Sequence, residues 1–149
     1  MSTSGVIAIG SEHRWKGREH HFDSYPDALG ATLWNIYKGH FQENLDKMLN
    51  VLLIDHQGWS SIIGRDWNLD PGYNRDNAPS CYCHGDRNEK LGWITQDDTG
   101  WSWVYVFDRK RRLMKVLRPS RIAGSNWYVC ETVYLDEAEM PLFLSRGGY

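Results

Sequence analysis

At 149 residues the chain has the length of one domain, long enough to bury a self-sufficient core. Its 41% hydrophobic and 24% charged residues are ordinary globular proportions and exclude disorder as the main state. A net charge of −2 gives no bulk attraction to a nucleic-acid backbone or an anionic lipid surface, so duplex nucleic acid and membrane are not expected partners.

The N-terminus reads as a hairpin, with a short apolar run at 5–10 and a second extended stretch at 17–23, joined by a polar loop. In an extended strand His20 and Phe22 face one way and His21 and Asp23 the other. The pattern then turns helical. Ser24 fits an N-cap, Pro26 lies in the first turn and Asp27 stands at the third position, a capping box. Leu29, Leu33, Ile36 and Tyr37 follow at helical spacing, and Gly39 supplies the stop. A second helix fits 42–55, where Leu45, Met48, Leu49, Leu52 and Leu53 make one apolar stripe. Both stripes read as core.

From 58 to 89 periodicity is lost, and 65–79 is turn-forming throughout. An irregular stretch of this length inside one domain is a binding loop, a lid or disordered, and its tryptophan and tyrosine argue against disorder. The last third is β, with strands at 91–96, 101–108, 112–117 and 126–135. Short turns between them require antiparallel pairing. The expected fold is therefore a single α+β domain. It has an antiparallel sheet of five or six strands, two helices on one face and a long irregular loop.

No aliphatic run exceeds four residues, and no basic stretch followed by an apolar segment opens the chain, so neither a spanning segment nor a secretory signal is expected. Three cysteines are too few for a disulfide scaffold, which fits reduced thiols in a cytoplasm.

Two segments carry candidate chemistry. In His20-His21-Phe22-Asp23-Ser24-Tyr25-Pro26, imidazoles and a carboxylate run into a helix start. There, unsatisfied N–H groups and the positive dipole end suit phosphate or another anion. The plainer reading is a strand-to-helix corner with local hydrogen bonds. In Cys81-Tyr82-Cys83-His84-Gly85-Asp86-Arg87, two thiols and an imidazole are zinc-ligand types. The C-x-C-H spacing has no matching half, so a fourth ligand would come from His20, His21 or Cys130 through folding. The plainer reading is a compact turn, and a nucleophilic cysteine beside His84 rests on adjacency alone. The Arg109-Lys110-Arg111-Arg112 run reads as a solvated turn. Trp59, Trp67 and Tyr73 fall in the irregular segment, where a ring face could stack on a base. No P-loop, dinucleotide fingerprint, nucleophile elbow or H-E-x-x-H is present.

The run from His20 through Asp23-Ser24-Tyr25-Pro26 to Leu29-Gly30 and Leu33-Trp34 resembles the H-W-D-G-Y-P-x-x-L-G-x-x-L-W segment of an uncharacterised family of actinobacteria and their bacteriophages. The resemblance continues through Gly39-His40-Phe41, 58–62, Cys81–Arg87 and Tyr105-Val106-Phe107, with Ser24 standing where the family has glycine. It brings no established activity. It implies a small phage-type accessory protein of the bacterial cytoplasm, of the kind that counters host defence by blocking a host protein or sequestering a nucleotide signal.

The leading expectation is a binder, not an enzyme, whose ligand is small, anionic and nucleotide-like. Its contacts would be His20, His21, Asp23, Ser24 and Tyr25 at the corner, His84 and Arg87 on the opposite wall, and Trp59 or Trp67 as a stacking face. No cofactor is required, and zinc would sit on Cys81, Cys83 and His84. The alternative is a metal-assisted hydrolase of a nucleotide or phosphate ester using His20, His21, Asp23 and His84. A third reading is an inhibitor docking on a host defence protein through an aromatic patch. A homo-oligomer is compatible with each.

Overall fold

The computed structural model describes residues 3–86 and 88–146, so Arg87 lies outside the described residues. Strands β1 (Gly5–Gly10) and β2 (Trp15–His20) form the expected hairpin, in the register Gly5↔His20 to Gly10↔Trp15. Gly17 has to be glycine at this crossing. A Cβ there would stand 2.3 Å from the Ile7 carbonyl oxygen and 2.7 Å from the Val6 side chain.

Beyond His20 the chain meets a π-helical turn (Pro26–Gly30) that runs into helix α1 (Ala31–Lys38). The capping box does not form. Tyr25 occupies the cap position without capping the helix through its side chain, and the Ser24 hydroxyl turns back to donate to the His20 carbonyl at 3.0 Å. Helix α2 (Leu45–Leu49) starts later than its stripe predicts, because Gln42 and Glu43 take positive φ; the Asn44 side chain caps it by accepting from the Lys47 N–H. A second π-helical turn (Asn50–Asp55) continues it.

The remaining elements are β3 (Trp59–Ser61), β4 (Ser80–Cys81), β5 (Ile94–Thr95), β6 (Trp103–Asp108), β7 (Leu113–Pro119), β8 (Trp127–Tyr134) and a short α3 (Leu142–Arg146). The sheet has eight strands in the order β4-β3-β2-β1-β6-β7-β8, with β5 also on β2. It is mixed: β1 pairs β6, and β2 pairs β3, in parallel. This corrects the expected five- or six-stranded antiparallel sheet. Short turns fix β1–β2 and β6–β7 as antiparallel, and β8 returns along β7 after a longer loop, but these connections say nothing about β1 and β6, which the helices and the long irregular segment separate. β5 likewise joins β2, through Lys16↔Thr95 and Gly17↔Ile94, instead of making a hairpin with β6.

β1 and β6 lie inside because both their faces are covered. On one face Ile7, Tyr105, Phe107 and Met114 pack against Leu29, Leu33, Met48 and Leu52 from the helical layer. On the other, Val6, Ala8, Val104 and Val106 pack with Trp15 and Trp127. Asn126 Nδ2 and Trp127 Nε1 donate to the Gln96 and Asp98 carbonyls, which brings the start of β8 over this second face. Most of the tryptophan excess is thus packing. No described helix is long and apolar enough to cross a membrane.

Candidate metal centre and adjoining cleft

The irregular segment is pinned at both ends. β3 lies beside the end of β2 through His20↔Trp59, and β4 returns antiparallel to it through Trp59↔Cys81. Between them the excursion is closed by the Asp66 N–H on the Asn77 carbonyl at 2.7 Å and the Gly72 N–H on the Pro79 carbonyl at 3.1 Å. The return along β3 brings the C-x-C-H run up against the chain that leaves the second π-helical turn, where His56 stands.

Four ligand-type atoms meet there. One atom each from His56, Cys81, Cys83 and His84 lies within 4.8 Å of the others. Cys83 Sγ is 3.2 Å from His84 Nδ1 and 3.7 Å from His56 Nδ1, and Cys81 Sγ is 3.5 Å from His84 Nδ1. A tetrahedral zinc with ordinary bond lengths needs sulfur–nitrogen separations of about 3.6 Å. His56 and Cys81 are buried, Cys83 is half-buried and His84 is exposed. The Gln57 N–H points at Cys83 Sγ from 3.4 Å. Burial holds the His56 imidazole neutral, with its pKa lowered to about 4, and His84 acts in the same direction. Burial, reinforced by the Cys83 charge, pushes the Cys81 thiol up to about 11. A cation entering the cluster would displace that thiol proton and find the imidazoles already in the ligating form. These four residues could hold a metal ion.

The corner at the end of β2 is built differently. His20 is fully buried, its Nδ1 shares a hydrogen bond with Ser24 Oγ at 3.0 Å, and its Nε2 accepts from the Ile62 N–H at 3.1 Å. Burial lowers its pKa to about 3, so it is neutral. Ser24 is equally buried, and the Tyr105 hydroxyl donates to its carbonyl at 2.6 Å. The helix start offers no anion cradle. Pro26 lacks an N–H, and the Ala28 and Leu29 N–H groups are taken by the Tyr25 carbonyl at 3.0 and 2.8 Å. The expected contact roles of His20 and Ser24 and the phosphate site therefore do not arise from this packing. Trp59, fully buried, donates through Nε1 to the Leu52 carbonyl at 3.0 Å and cannot present a stacking face. Trp67 is half-buried against Phe41 and Trp59, at centroid separations of 5.6 Å in each case. Asp23 and Tyr25 are exposed.

His21, in contrast, does share a cavity with the thiol turn. A cleft of about 480 Å³ is lined by Glu19, His21 and Phe22 on the strand side and by Tyr73, Tyr82 and Glu89 on the loop side. His21 Nδ1 lies 3.1 Å from Glu19 Oε1, and its ring meets Phe22 edge-on. Tyr82 sits between the two thiols in sequence, and its N–H is held by the Gly58 carbonyl at 3.1 Å. The wall of the cleft and the ligand cluster are thus one piece of chain.

The fourth member of the cluster is His56, not His20, His21 or Cys130. Cys130 lies elsewhere, on β8, donating to the Val116 carbonyl. His56 stands just before the irregular segment that contains C-x-C-H, and the pairing of β3 with β4 brings the two together. The Arg109–Arg112 turn is partly internal, since Arg112 reaches Asp136 and the Tyr37 hydroxyl. No family model, curated protein or solved structure matches this chain.

Proposed function

We propose that this protein is a zinc-stapled binding domain, in which His56, Cys81, Cys83 and His84 hold a structural zinc ion that fixes one wall of the cleft. The observation that carries this reading is the convergence of two sulfurs and two imidazoles from both ends of the irregular segment. Two thiolates and two imidazoles fill a tetrahedral ion, leaving no position for a water or substrate, so the metal's part is architectural. That ligand count weighs against the hydrolase reading built on His20, His21, Asp23 and His84, and its His20 is already engaged by internal hydrogen bonds. The full chain, purified without chelator, should carry one zinc per molecule by elemental analysis. Preparations that neither contain zinc nor take up zinc or cobalt would overturn the reading.

The ligand would occupy the cleft beside Tyr82. Aromatic side chains suit the face of a flat ring, and Glu19 and Glu89 suit its N–H edge while opposing a phosphate, so a nucleoside-like molecule fits better than a highly charged one. The resemblance to phage accessory proteins would make such a molecule a host signal. A thermal-shift panel tests this, because a ligand of the native state must raise its melting temperature. Nucleosides should stabilise the protein more than inorganic phosphate does. A flat response to nucleosides and nucleotides at millimolar concentration would leave the zinc staple without this ligand.

A further inference from the structure

Arg18 is an arginine on a central strand with only 6% of its surface exposed. Among the described residues no carboxylate pairs with it. Its Nε donates to the Leu53 carbonyl at 2.9 Å and its Nη1 to the Leu91 carbonyl at 3.1 Å. Its guanidinium carbon lies over Trp93, 3.5 Å from the ring centroid. A buried cation without a carboxylate is costly unless something else supplies negative charge. Here two backbone carbonyls and a ring face take the place of a carboxylate.

The two carbonyls are informative by position. Leu53 lies three residues before His56, and Leu91 follows the C-x-C-H run. Leu91 is also gripped from its other side, its N–H donating to Gln57 Oε1 at 3.1 Å, while the Gln57 N–H points at Cys83 Sγ. Arg18, Leu91, Gln57 and Cys83 therefore form one connected chain of contacts from the sheet to a ligand sulfur. We propose that Arg18 is the positioning residue of the metal centre: it clamps the segments that flank the ligands, through the Leu53 and Leu91 carbonyls. This rests on the zinc reading above. Groups outside the ligand set that orient it commonly govern affinity by about 10–100-fold.

The test uses the full chain, with zinc affinity measured by competition with a chromophoric chelator and the site viewed through the sulfur-to-cobalt charge-transfer band of the Co(II) form. Arg18→Gln should bind zinc at least about tenfold more weakly and shift the cobalt band, and Arg18→Lys, which keeps the charge but not the two-pronged clamp, should fall between it and wild type. If Arg18→Gln does not fold, Arg18→Lys decides alone, with weaker affinity and a shifted band expected. Folded variants with wild-type affinity and an unmoved band would overturn the proposal. A wild-type chain that takes neither metal would overturn the zinc reading and this inference with it, and that failure is distinguishable because it appears before any substitution is made.

Discussion

Two histidine-bearing corners sit on neighbouring rungs of the same sheet: His20 pairs with Trp59, and Trp59 pairs in turn with Cys81. They use similar residues and differ in what their polar atoms find. At the first, both His20 nitrogens have protein partners, Ser24 Oγ and the Ile62 N–H, so the corner is complete as folded. At the second, His56, Cys81, Cys83 and His84 mostly face one another, and four soft electron-pair donors in one place make poor hydrogen-bond partners but a good metal shell. The presence of imidazole and carboxylate near a helix start is therefore a weak guide to a ligand site. The balance of donors and acceptors decides.

The largest expected effect breaks the second corner. Cys83→Ala removes a ligand, and chelation of the wild type removes the ion. For zinc supplied at about 1,000 times its dissociation constant, linkage gives about 4 kcal/mol of stabilisation. In a chain of this size that corresponds to a fall in Tm of about 8–16 °C. Scanning calorimetry with and without chelator should show the fall in the wild type and no further change in Cys83→Ala. Equal wild-type curves would erase the distinction between the corners.

A smaller effect comes from the closed corner. His20→Gln leaves the Ile62 N–H without its acceptor or Ser24 Oγ without its ring donor, at a cost of about 1–3 kcal/mol at neutral pH, and should leave zinc content unchanged. The pH dependence has a definite sign. Neutral His20 in the fold has a pKa of about 3 against 6.5 when unfolded, so its contribution is complete above pH 6.5 and is lost as pH falls from there toward 3. The wild type loses up to about 1.4 kcal/mol per pH unit through this group in that window, and the variant does not. The stability gap between the two, from urea unfolding at pH 7.5, 6 and 5, should narrow with acidity. A gap that stays constant would mean that His20 is not the buried neutral group.

What the sequence made legible follows the range of the interactions involved. The hairpin, both helical stripes and the β6–β7–β8 meander are specified by periodicity and local connections, and they stand close to their expected positions. The parallel β1–β6 pairing was not legible, because its partners are far apart in sequence and only the burial of both strand faces, Ile7, Tyr105 and Phe107 on one and Val6, Ala8, Val104 and Val106 on the other, selects it. The Ser24 cap failed for a related reason: a buried His20 competes for the same hydroxyl, and tertiary demand overrides local propensity. At the site, the zinc-ligand character of Cys81, Cys83 and His84 was readable from residue type. His56 was not, since nothing in an H-x24-C-x-C-H spacing predicts contact until β3 and β4 pin the loop. Trp59 and Trp67 looked available because they lie in an irregular stretch, yet such a stretch can pass beneath a helix as readily as over a surface.

The smallest effect sharpens the comparison most, because it separates a residue that shapes the corner from one that serves a ligand. Asp23 is exposed and holds φ at 54°, a left-handed conformation that aspartate tolerates and glycine prefers. Asp23→Gly relieves that strain but adds freedom to the unfolded chain, and the two contributions, each roughly 0.5–1 kcal/mol, oppose one another. The expected change in stability is within about 0.5 kcal/mol of zero by urea unfolding. Because Asp23 does not line the cleft, the thermal response to nucleosides should also be unchanged. If that response disappears while stability holds, the carboxylate reaches the ligand and the cleft extends around the corner. If both hold, the bend after β2 serves architecture alone, and recognition lies on the loop side, with the wall that the metal fixes.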